Sequence, residues 1–168
     1  MGWITFSTCI TTENATRADS MKEEFTMDII CTVLANEKSL AIIYHVLNEF
    51  IPNCERLSPE YAYPTEKVDY AFKSEEEMVR FFIESKGISQ TFYWNKYEDN
   101  PNGIMLGASL TTDDKLIISL TFNGTKETEA TYFLKMKSFL NSDIGVISYI
   151  NPPEYEDGKD FIDKYGVK

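Results

Sequence analysis

An α+β domain, built on a largely antiparallel sheet with about three helices packed mostly on one face, is the fold class this sequence predicts. Three observations carry it. Three segments repeat apolar residues at helical spacing behind residues suited to cap a helix. Between the second and third of these, consecutive segments switch to the two-residue period of strands and are separated by concentrated turn signals. The 168 residues, 43% hydrophobic and 14% aromatic, suffice for one domain with a substantial core, so 1–168 is read as a single unit.

Taken in order, Trp3 to Ile10 has the composition of a strand, and Thr11 to Glu24 is polar enough for a loop or short helix. Met27 to Leu34 is apolar on both faces and β-branched, which predicts a central strand. Asn36 is placed to cap a helix whose inward positions are Leu40, Ile43, Tyr44 and Leu47, with Pro52 limiting its length. Glu55 to Glu66 reads as a loop rich in Pro, Tyr and acid, ahead of a short strand over Val68 to Phe72.

Ser74-Glu75-Glu76-Glu77 has the form of a capping box, with acids at the positive end of the helix that follows. Met78, Phe81 and Phe82 share a face of that helix, and Gly87 suits its C-terminal stop. Gln90 to Tyr97 is extended and aromatic, so Phe92 and Trp94 should point one way and Tyr93 and Asn95 the other. Asp99-Asn100-Pro101-Asn102-Gly103 is a turn, and Ile104–Thr112 with Lys115–Phe122 forms a hairpin about Asp113-Asp114. In the second arm Ile117 blunts an otherwise clean alternation. Asn123-Gly124-Thr125 introduces a third helix with Ala130, Phe133, Leu134 and Leu140 inward. Gly145 to Ile150 is a last strand, ended by Pro152-Pro153, and an acidic tail follows.

The chain carries 27 Asp and Glu against 16 Lys and Arg, a formal charge of −11. That balance disfavours nucleic acid, which demands a basic face, and anionic membrane surfaces. It steers a cationic protein partner, while also serving plain solubility. Acid concentrates in residues 55–84, with eight carboxylates against four basic residues, and in 151–168, with five against three. Tyrosines stand in both stretches, and aromatic anchors beside carboxylates suit a surface that grips Arg and Lys.

Chemical machinery is sparse. His45 is the one histidine, and no spacing supplies it with a nucleophile and an orienting acid, so a structural or partly exposed role is expected. Cys9, Cys31 and Cys54 stand apart, which suits a reducing compartment and neither a disulfide framework nor zinc. The start lacks the basic and apolar regions of a signal peptide, and no apolar run reaches the length of a membrane span, so a soluble cytoplasmic protein is expected. Glu154, Glu156, Asp157 and Asp160 offer hard oxygen ligands without an EF-hand pattern, and they read better as a solvated acidic segment than as a metal site. The pair Glu98-Asp99 is too common a motif in an acidic chain to indicate glycoside hydrolysis. No cofactor, metal or catalytic residue is expected.

Phe92-Tyr93-Trp94 ahead of Asp99-Asn100-Pro101, then Ile104-Met105-Leu106-Gly107-Ala108, Lys115 to Leu120, Ser142-Asp143-Ile144-Gly145-Val146-Ile147-Ser148-Tyr149, and finally Pro152-Pro153-Glu154-Tyr155-Glu156-Asp157-Gly158 give residues 66–166 a family look. In size, acidity and aromatic-rich strands the chain resembles small bacterial immunity proteins, which neutralise polymorphic toxins of the contact-dependent, Rhs-linked or type VI secreted kinds. The resemblance implies a non-enzymatic inhibitor in a stoichiometric complex with a cognate toxin domain of basic surface. The expected contacts are Glu98, Asp99, Glu154, Glu156, Asp157, Asp160 and Asp163, with Tyr155 as an aromatic anchor. The alternatives are a small-ligand-binding α+β domain using the aromatics of 92–97, an enzyme working through carboxylates or His45, and a subunit of a stable assembly.

Overall fold

The structure is a computed structural model that describes residues 26–58, 63–65, 68–70, 72–96 and 99–166. The strand expected over Trp3–Ile10, the polar segment 11–24, Cys9, Tyr97 and Glu98 lie outside the described residues. The element order is β1 (Met27–Leu34), α1 (Leu40–Phe50), β2 (Tyr63–Thr65), β3 (Val68–Tyr70), α2 (Glu75–Glu84), β4 (Gln90–Asn95), β5 (Met105–Leu110), β6 (Leu116–Gly124), α3 (Lys126–Phe139), β7 (Gly145–Tyr149) and α4 (Gly158–Tyr165). Five strands form one antiparallel sheet in the order β4-β5-β6-β1-β7, and β2 and β3 form a separate hairpin.

β1 is interior because its residues can be buried on both sides. It pairs with β6, Leu34 opposite Ile117 and Met27 opposite Gly124, and with β7, Ile29 opposite Tyr149. One face of the sheet presents Cys31, Val33, Phe92, Trp94, Leu106, Leu116, Ile118 and Leu120, and α1, α2 and α3 pack their apolar residues against it as the main core. The expected split on β4 holds, with Phe92 and Trp94 buried and Tyr93 exposed. A smaller cluster of Leu34, Ile117 and Phe161 lies on the opposite face, where α4 docks.

Several local expectations shift. The cap of α1 is Ser39, whose Oγ accepts from the Ile42 amide at 3.2 Å, so the helix starts later than Asn36 would place it. Its inward residues become Ile43, Val46, Leu47 and Phe50. The Ser74 cap holds, accepting from the Glu77 amide at 3.1 Å, while α2 stops at Glu84 and Gly87 follows in a left-handed turn at φ +70°. Part of the segment read as a loop forms the β2–β3 hairpin. Ala130 and Leu134 face outward, because the inward stripe of α3 runs through Glu129, Met136 and Leu140. A carboxylate occupies that stripe because Glu129 is satisfied there by Lys126 at 3.0 Å and by the Tyr149 hydroxyl at 2.6 Å. The acidic tail folds in large part as α4.

Candidate partner-binding surface

α4 forms because its first turn is capped twice. Asp157 is the N-cap, its side chain accepting from the Asp160 amide at 2.8 Å. The second cap comes from a distant turn: Asp113, in the β5–β6 hairpin, accepts from the amides of Gly158 and Lys159, both at 2.9 Å. Thr111 braces that carboxylate with a 2.5 Å hydrogen bond. Partial burial works against the Asp113 anion, but the hydrogen bonds from Thr111, Gly158 and Lys159 outweigh it and hold the carboxyl below its ordinary value. Gly158 lies so close to the hairpin that a Cβ there would sit 2.5 Å from Lys115 Cβ. The neighbouring Asp114 faces the other way and pairs with Lys38 at 2.9 Å, and Lys38 also donates to the Ser85 carbonyl at 3.2 Å. Two consecutive aspartates that read only as a turn thus join the hairpin to α4 on one side and to the end of α2 on the other.

Phe161 anchors the helix, fully buried, with the Tyr155 ring edge-on at 5.1 Å and Tyr165 at 5.0 Å. Burial pushes the Tyr155 phenol up, a hydrogen bond from Ser109 pulls the other way, and nearby Tyr93 adds to the rise. Tyr155 therefore spends part of its surface inside the protein. Tyr93, 53% exposed, is the more available aromatic and lies beside it, its ring over Gly107. Sequence reasoning missed Tyr93 as an anchor, although strand alternation had already set it apart from Phe92 and Trp94.

The expected acidic residues divide by role. Glu154, Glu156 and Asp163 are exposed, and their carboxylates have no ion-pair partner among the described residues. Asp157 is consumed by capping. Asp160 pairs with Lys164 at 2.8 Å and accepts from the Glu156 amide at 3.0 Å, and these contacts hold its carboxyl below the ordinary value. Lys164 and the Tyr165 hydroxyl both donate to the Glu154 carbonyl, at 3.3 and 3.2 Å, which ties the 154–157 segment along the helix. Asp99 is exposed in the β4–β5 turn, at the end of β5 opposite the Asp113 hairpin. Six residues of strand, about 20 Å, lie between those two ends. The structure brings residues 154–163 onto one platform and leaves Asp99 apart from it.

Other chemistry-bearing groups hold the fold. Glu75 is 6% exposed and accepts from the Leu57 amide at 2.5 Å, Arg56 at 3.3 Å and the Tyr44 hydroxyl at 3.4 Å. His45 is exposed, its ring edge-on to Phe139 at 5.1 Å. Cys31 is fully buried, and burial together with the Glu129 charge pushes its thiol up to about 12. No group of three metal-ligating side chains occurs among the described residues, and no helix among them is long and apolar enough to cross a membrane. Among the described residues, one cleft of about 430 Å³ is lined by Asn36, Lys38, Asp114, Asn141 and Asp143 among others, and another of about 320 Å³ by Tyr44, Asn48, Asn53 and Arg56 among others. The chain matches no protein-family signature, no curated protein and no solved structure.

Proposed function

We propose that this protein is an immunity protein: a cytoplasmic, non-enzymatic inhibitor that neutralises a cognate bacterial toxin domain by covering or distorting a basic surface in a stoichiometric complex. The observation that supports the reading best is the α4 platform. There, Glu154, Glu156 and Asp163 stand exposed, outside the ion pairs of the described residues, on a helix and strap held by two caps and a buried phenylalanine. Carboxylates in solvent supply steering and selectivity, and Tyr93 with the free part of Tyr155 supplies contact area at small conformational cost. The same charge selects against nucleic acid and anionic membranes as partners.

Co-expression with the reading frame adjacent to this one in its genome tests the proposal. A neighbour that arrests growth alone, is tolerated with this chain and co-purifies with it at one-to-one stoichiometry supports it. A harmless neighbour, or a toxic one that this chain neither rescues nor binds, overturns it. Given a complex, reversing Glu154, Glu156 and Asp163 together to Lys should slow association about tenfold or more at low salt and flatten its salt dependence, with little change in melting temperature. Asp157 and Asp160 are left intact in that variant because they hold the helix.

A further inference from the structure

We infer that Asn102 is a modification site: in water it converts, without an enzyme, to aspartate and isoaspartate through a cyclic imide closed by the Gly103 backbone nitrogen. The sequence holds Asn-Gly twice, at 102–103 and at 123–124, and a glycine after asparagine leaves the attacking nitrogen unshielded. The fold treats the two pairs differently. Asn102 and Gly103 are both exposed in the β4–β5 turn, and no hydrogen bond among the described residues engages the Asn102 carboxamide. Asn100 braces this turn, its side chain accepting from the Ile104 amide at 2.8 Å and donating to the Ile104 carbonyl at 3.0 Å. The Gly103 amide donates to the Asn100 carbonyl at 3.1 Å, a bond within one surface turn that opens at small free-energy cost. Asn123, by contrast, lies in β6 opposite Asp28 of β1, with Gly124 buried opposite Met27. A Cβ at Gly124 would sit 3.0 Å from the Phe122 ring and 3.3 Å from Thr128, so that stretch of backbone is walled in. The Asn123 carboxamide leans toward Gly103, its Nδ2 3.4 Å from where a Cβ there would stand. Closing a ring at 123 therefore requires β6 to part from β1, a much costlier opening. Asp157-Gly158, capable of a slower closure of the same kind, is locked because the Gly158 amide donates to Asp113 at 2.9 Å.

The chemistry balances with water as the one co-reactant and no change of oxidation state. The Gly103 nitrogen gives up its proton and attacks Cγ of Asn102, forming a C–N bond. The Cγ–Nδ2 bond then breaks, and Nδ2 leaves as ammonia with a proton from the solvent. Water opens the five-membered imide at either carbonyl. Cleavage at Cγ restores the ordinary backbone with aspartate at 102. Cleavage at the backbone carbonyl leaves the chain running through Cγ, which is isoaspartate. Either product adds a carboxylate to a chain of net charge −11, in the same turn as Asp99. In isoaspartate the backbone gains a carbon at the point where the Asn102 carbonyl accepts from the Asn123 amide at 2.7 Å, so the join between this turn and β6 loosens.

Peptide mapping by mass spectrometry tests this on the full chain, incubated at neutral pH both folded and in urea. In the folded protein the peptide holding Asn102 should split into aspartate and isoaspartate forms at least about tenfold faster than the peptide holding Asn123. In urea the two should react at comparable rates, because the difference belongs to the fold. Mildly alkaline buffer should speed both, as the glycine nitrogen loses its proton more readily. Gly103→Ala should slow the reaction at 102 about tenfold or more in urea, where its effect on the turn is removed and only the shielding of the nitrogen is read. An Asn102 that stays intact in the folded chain while it reacts in urea overturns the inference, and so does an Asn123 that reacts as fast as Asn102 in the folded chain. The experiment involves no toxin, so its outcome is independent of the function proposed above.

Discussion

Glu75 and Glu129 are carboxylates that the fold draws inside, and each is there because named donors replace the water it loses. Glu75 ties the Leu57 backbone and Tyr44 of α1 to the start of α2. Glu75→Ala should cost about 1 to 3 kcal/mol in urea unfolding, because it orphans the Leu57 amide; Glu75→Gln, which keeps an acceptor, should cost less. The Tyr44 phenol is pushed up to about 12 by burial first and by Glu75 second. In Glu75→Gln its ultraviolet titration should move back toward 10. No spacing in the sequence distinguishes Glu75 from Glu76 and Glu77 beside it. The capping box was legible at this scale because it is a local pattern; the partners of Glu75 are set by tertiary contacts at 56–57 and 44.

At the scale of elements, the helices and most strands followed from periodicity and caps, and the departures have identifiable causes. Ile117 carried a signal that was visible and under-read: an apolar residue on the nominally exposed side of β6 announces that the second face is covered. What covers it is α4, whose eight residues include two lysines, two aspartates and only three large apolar or aromatic side chains, Phe161, Ile162 and Tyr165. Such a helix looks like a tail until Asp113, far off in sequence, caps it. Leu134 was misplaced for the reverse reason, since Glu129 holds the stripe position that hydropathy would assign elsewhere. Asp113→Asn should loosen α4 by about 1 kcal/mol at neutral pH. Gly158→Ala should also loosen it, because the added carbon has no room against Lys115. Asp113 and Asp160 both have folded-state carboxyls below their ordinary value, so their stabilisation is present above that value and is lost as pH falls through the folded one. Melting curves should show the wild type and Asp113→Asn converging below about pH 3, with their gap open at pH 7.

Across the whole molecule, charge separates from packing. The −11 balance leaves the fold class undetermined and bears instead on what approaches the surface and how fast. The antiparallel sheet and helical layer were legible because many residues vote for them. The candidate surface was legible only in part: the 154–163 platform came together, Asp99 fell at another end of the sheet, and Tyr93 entered through tertiary proximity to Tyr155.

The position of β1 has a consequence in time. This strand is the earliest to be synthesised among the described strands of the sheet, yet both its partners, β6 and β7, come far downstream, with Leu34 opposite Ile117 and Ile29 opposite Tyr149. β4, β5 and β6, by contrast, are sequence neighbours that close as hairpins. On a growing chain the apolar run Ile29-Ile30-Cys31-Thr32-Val33-Leu34 waits unpaired while most of the protein is still being made. Amides of the β4–β6 meander should gain protection before those of β1 in pulsed exchange during refolding. The most buried strand of the finished protein is thus the one most open to mispairing while it forms.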